Sequence, residues 1–110
     1  MYEAAFLVQG SASEPYNVVF RKDGVNFTAR CSCPAGDVGQ CCKHRLKIIV
    51  GDPDGIVSGN LSDVSAVQNW IAGTDVEQAL RDLQDAERKL EEAKQLVSTK
   101  KKQLAKCLID

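Results

Sequence analysis

The sequence predicts an α+β fold: short strands and a ligand-rich turn in the first half, a short helix, and a long coiled-coil-like helix at the end. Three observations carry this. Apolar residues alternate on either side of an Asp23-Gly24 turn signal within the first thirty residues. Four sulfur and nitrogen donors (Cys31, Cys33, Cys42 and the single histidine, His44) lie within fourteen residues. From Thr74 to Leu108 there is neither glycine nor proline, and apolar residues recur every seven.

Taken in order, residues 2–8 are apolar and compatible with a strand, and residues 10–15 form a loop. Residues 16–20 are a second strand. Lys22-Asp23-Gly24 marks a hairpin, because Asp-Gly suits turn positions of positive φ. Residues 25–30 alternate, with Val25, Phe27 and Ala29 on one face and Asn26, Thr28 and Arg30 on the other. That third strand delivers the chain to Cys31. Residues 45–50 are expected to make one or two helical turns before Gly51-Asp52-Pro53 stops them, although Ile48, Ile49 and Val50 are β-branched. Residues 51–61, with three glycines and a proline, read as a loop or linker. Ser62 is expected to cap a short helix over 62–73 that carries Val64, Val67, Trp70 and Ile71 and stops at Gly73. Thr74 and Glu77 then fit a capping box opening a helix over 74–108.

The donors in C-x-C-x8-C-x-H suit Zn²⁺, which prefers thiolate and imidazole and closes a structural site with four ligands. Pro34, Gly36 and Gly39 let the intervening loop reverse the chain. Cys41 competes with Cys42 for the third sulfur position, giving C-x7-C-x2-H instead. A catalytic zinc keeps an open position; four protein donors, with no spare histidine, predict a non-enzymatic protein without a small-molecule substrate. Residues 1–50 form the zinc-binding half. Its core must be thin, since aromatics make up only 5% of the chain, and a domain of about 60 residues is marginal without a staple. The start lacks a basic and then long apolar leader, and no stretch reaches the ~18 apolar residues of a membrane span. The expected location is cytoplasmic and reducing, with nucleus or nucleoid as alternatives; clustered thiols there more often bind metal than pair.

In sequence order, the strand over residues 16–20, the Asp23-Gly24 turn, Cys31-Ser32-Cys33-Pro34 and Cys42-Lys43-His44 resemble the SWIM zinc finger over about residues 14–50. The resemblance implies Cys31, Cys33, Cys42 and His44 as ligands of one structural Zn²⁺, with Cys42 in preference to Cys41. It also implies a role in binding protein or DNA. The helical half resembles no family.

Net charge is −1, so the whole chain is not marked as a nucleic-acid binder. Locally, Arg21, Lys22, Arg30, Lys43, Arg45 and Lys47 outnumber two acids over residues 20–50. They are the candidate contact residues for nucleic acid or a partner, or a solvated offset to the thiolates. In the long helix, Val76, Leu83, Leu90, Val97 and Leu104 alternate with Ala79, Ala86, Ala93 and Cys107, interrupted at Lys100. This a/d heptad seam predicts a homodimer, ahead of packing back on the zinc half or a different partner. Seven acids and three bases fill residues 75–92, whereas 94–106 carry five lysines and no acid. That order complements the helix macrodipole, and an antiparallel pair would also match it; the sequence leaves the orientation open. The functional expectation is a dimeric zinc-binding adaptor or regulator that docks on a protein complex, with a nucleic-acid-processing complex as one candidate. The alternative is direct DNA or RNA binding through the basic face of the finger. A membrane role is not expected, since the apolar stripe is narrow and lacks bulky aromatics.

Overall fold

The computed structural model describes residues 1–109. Strands β1 (Tyr2–Val8), β2 (Tyr16–Asp23) and β3 (Asn26–Cys31) form an antiparallel sheet in sequence order. Helices α1 (Pro34–Asp37), α2 (Lys43–Ile49), α3 (Asp63–Trp70) and α4 (Asp75–Ile109) follow. Two compact units result, Met1–Glu77 and the chain from Gln78 onward.

The sheet buries one face. Ala4, Phe6 and Val8 on β1, Val18 and Phe20 on β2, and Phe27 and Cys31 on β3 alternate with exposed or half-buried neighbours, the period-2 pattern of a half-covered sheet. Register aligns them: Phe6 lies opposite Val18, and Val18 opposite Cys31. A slip of one residue would turn Cys31 to the other face. Phe20 sits at the centre with its ring 5.9 Å from both Phe6 and Phe27. Ile48 and Ile49 of α2 and Val64 and Val67 of α3 are buried as well, and α2 packs against α3 and β3.

Several local expectations need correction. Strand β2 runs to Asp23, which pairs with Asn26. The hairpin loop is therefore Gly24-Val25, not Asp23-Gly24. Gly24 has φ 60° and among the described residues no other residue type takes positive φ, so only the first loop position is left-handed, as a type II′ turn requires. Val25 is consequently 76% exposed at the tip rather than on the buried face. The segment after Cys33 is expected as loop, yet Pro34–Asp37 forms one helical turn, with Pro34 at the start where its missing N–H costs nothing. Ser62 has helical φ and ψ, and its side chain makes no capping bond. The Asn60 carbonyl instead accepts from Asp63 N at 3.0 Å.

The α2 expectation holds, starting at Lys43; burial of Ile48 and Ile49 overrides their weak helix propensity. Residues 51–60 are tied to β1: Val8 bridges Ile56, Gln9 N donates to Gly55 O at 2.8 Å, and Val57 N donates to Leu7 O at 2.8 Å. Asn60 Nδ2 donates to Ala5 O at 2.8 Å. At the other end of the sheet, Lys22 Nζ donates to Trp70 O at 2.6 Å and the Tyr2 and Trp70 rings stack at 5.7 Å. Thr74 is buried and its hydroxyl donates to Ile71 O at 2.6 Å.

The long helix is unbroken over 35 residues, with no buried position. Leu83, Leu90, Val97 and Leu104 are between 37% and 60% exposed.

Because Phe20 is fully buried at the centre of the ring cluster, Phe20→Ala should cost about 3–5 kcal/mol in urea unfolding of the zinc-loaded protein. Val25→Thr, at the exposed turn, should stay within about 0.5 kcal/mol.

Candidate metal centre

The donors are delivered by a strand end and by the starts of two short helices. Cys31 ends β3, on the buried face that the register fixes. Cys33 is the N-cap of α1 and Cys42 the N-cap of α2. In both, the sulfur occupies the position where a side-chain acceptor normally satisfies free N–H groups of the first turn. Cys33 Sγ accepts from Gly36 N at 3.3 Å, and Cys42 Sγ from Arg45 N at 3.4 Å. His44 follows in the first turn of α2 and is itself buried. Cys33 N donates to Cys31 Sγ at 3.5 Å.

The donor atoms of Cys31, Cys33, Cys42 and His44 all lie within 4.8 Å of one another, and all four residues are buried. His44 Nδ1 is 3.9 Å from Cys31 Sγ. Tetrahedral zinc, with Zn–S of about 2.3 Å and Zn–N of about 2.0–2.1 Å, asks for donor separations of roughly 3.5–3.8 Å. The residues therefore fit one zinc ion with a small contraction. Cys41, the competitor, is exposed and outside the group. With four protein donors, a bound ion here acts as a structural crosslink.

Two glycines shape the turn for different reasons. Gly39 has φ 79°, the left-handed conformation that reverses the chain. A Cβ on Gly36 would lie 2.7 Å from Cys31 O; here the need is for space. Sequence reasoning missed Gly10 and Tyr16. The Tyr16 ring is 5.0 Å from the His44 ring, and a Cβ on Gly10 would sit 2.6 Å from Tyr16 and 3.1 Å from His44 Nε2. Nothing in local spacing signals this wall, because it is built by the loop that follows β1 and the first residue of β2. His44 Nε2 is buried there without a hydrogen-bond partner among the described residues.

The six basic candidates are not one surface. Arg45 is a strut of the centre: Nε donates to Cys42 Sγ at 3.2 Å, Nη1 to Ala29 O at 3.0 Å, and Nη2 to Gln40 O. Lys22 is bonded to Trp70, Arg21 pairs with Glu3 at 2.9 Å, and Lys47 with Asp54 at 3.3 Å. Arg30 and Lys43 are exposed.

The surroundings act differently on the donors, opposing ionisation at Cys31 and favouring the ligating form at Cys42 and His44. Burial pushes the Cys31 thiol up to about 12. Burial also acts to raise Cys42, but the Arg45 N–H and guanidinium outweigh it and hold that thiol below its ordinary value. His44 is lowered by burial and by Lys43 and Lys47, which keeps its imidazole in the neutral, ligating form.

Residues 6–49 match the family model of the SWIM zinc finger. The match confirms the resemblance read from residues 14–50 and extends it back into β1. No curated protein and no solved structure matches the chain.

Zinc displaces protons from thiols, so raising a thiol's pKa weakens binding as pH falls. Apparent zinc affinity should therefore rise with pH through the neutral range, with proton release seen by calorimetry in buffers of different ionisation enthalpy. Cys41→Ser should retain one zinc per chain by elemental analysis, whereas Cys42→Ser should lose it. Arg45→Ala should weaken zinc by about 10–100-fold in a chelator competition, the range for removing an outer-shell partner.

Proposed function

We propose that this chain is a non-enzymatic interaction module, a dimeric adaptor or regulator that uses a zinc-stabilised finger to dock on a protein complex. The observation that carries the reading is the closed set of four buried donors, which leaves the metal no evident role beyond holding a surface in shape. The exposed heptad seam of α4 supports a second function for the helix, joining two such fingers.

The engagement of Arg21, Lys22, Arg45 and Lys47 within the chain supports protein docking over phosphate binding. Arg30 and Lys43 support the second reading, direct contact with DNA or RNA, because no acid pairs with either among the described residues. Two cations per finger would give a shallow salt dependence, since affinity falls with roughly one counterion per phosphate contact. Among the described residues no helix is long and apolar enough to cross a membrane.

The test is titration of zinc-loaded protein into labelled random duplex and single-stranded DNA at low and moderate salt. The docking reading expects no measurable binding at moderate salt. Salt-sensitive binding lost in Arg30→Ala/Lys43→Ala, with zinc content unchanged, would replace it with the nucleic-acid reading.

A further inference from the structure

From the seam and the charges of α4, we infer that two copies of this chain pair through α4 in antiparallel orientation, joining their zinc-binding units to opposite ends of the helix pair. The inference rests on the dimeric reading above and adds the orientation and register.

The first ground is size complementarity. One seam series is large (Val76, Leu83, Leu90, Val97, Leu104) and the other is small over its first three members (Ala79, Ala86, Ala93). In a parallel pair each series meets itself, so layers of two leucines or valines alternate with layers of two alanines, and Lys100 faces Lys100. In an antiparallel pair each a residue meets a d residue. A single offset then sets Ala79 opposite Leu104, Ala86 opposite Val97, and Ala93 opposite Leu90. The same offset puts Val76 opposite Cys107 and Lys100 opposite Leu83. Every layer joins one large to one smaller or flexible side chain, the even filling that packed cores favour.

The second ground is charge. Within the helix, Arg88 pairs with Asp85 at 2.6 Å and with Glu92 at 2.9 Å, and Lys89 with Asp85 at 3.0 Å. All of these lie in the acidic half. The five lysines of residues 94–106 have no acidic partner among the described residues; Lys100 reaches only Gln103, at 3.5 Å. The antiparallel offset lays this lysine block along the partner's acidic block and brings Glu87 beside Lys94 in both halves of the pair. A parallel pair would set lysines against lysines. The helix supplies the continuity required, since it has no break across either block.

The exposed Cys107 gives the measurement. In zinc-loaded Cys41→Ser protein it is the thiol left outside the metal centre, and a nitroxide there reports the orientation while sedimentation equilibrium reports the mass. The antiparallel register separates the two labels by about 46 Å, from the helical rise over residues 76–107. A parallel pair holds them roughly 10 Å apart, the interaxial distance of packed helices. A dimer showing the long distance by pulsed electron resonance, and a monomer in Leu90→Asp with zinc retained, is the expected result. A dimer with the short distance would overturn the orientation and leave the dimer standing. A monomeric parent protein would overturn both, and a Leu90→Asp protein that stays dimeric would remove α4 as the interface.

Discussion

Three thiols and an imidazole are brought together in a buried site, and the first unit is organised around that convergence. Buried polar donors without a common partner are unfavourable, and burial, helped by the neighbouring thiols, resists ionisation, as the raised Cys31 indicates. A metal ion reverses both effects by drawing the donors as anions and a neutral ring. The contributing elements are the end of β3, the start of α1 and the start of α2. Removing the shared tie would leave α1, four residues with none buried, to stand on helix propensity alone, and α2 to depend on the burial of Ile48 and Ile49; helices that short are not stable in isolation. The apolar core beneath is real but small, with three phenylalanines meeting in one cluster.

Around this tie the protein divides its labour. The finger presents shape, and Arg45 turns inward to support it, so a residue of binding type serves the scaffold. The long helix presents an unpartnered apolar seam and segregated charge. The two units thus carry different chemistry, a metal-donor cluster in one and an exposed apolar seam with segregated charge in the other.

Much of this was legible in the sequence because the signals were chemical. Donor spacing marked the metal site, the family resemblance chose Cys42 over Cys41, the Asp23-Gly24 pair located the hairpin within one residue, and heptad recurrence located α4. What the sequence hid was long-range or sterically determined. Val25 alternates correctly with Phe27, but the two-residue loop claims it. Pro34 reads as a loop residue, yet Cys33 capping makes it the first residue of a helical turn. Arg45 could not be told from a surface cation until the Ala29 and Gln40 carbonyls were placed beside it. The Gly10 and Tyr16 wall behind His44 lies more than twenty-five residues upstream of the ligand it supports, so no local pattern reports it.

The ties between residues 55–60 and β1 have a consequence for growth of the sheet. Exposed strand edges invite further strands from other chains. Here the carbonyls of Leu7 and Ala5 and the amide of Gln9 are already committed to the returning chain, and on the far strand the Ala29 carbonyl is taken by Arg45. The β1 edge is thereby partly capped by the returning segment, and on the β3 edge one carbonyl is held by the metal centre's strut.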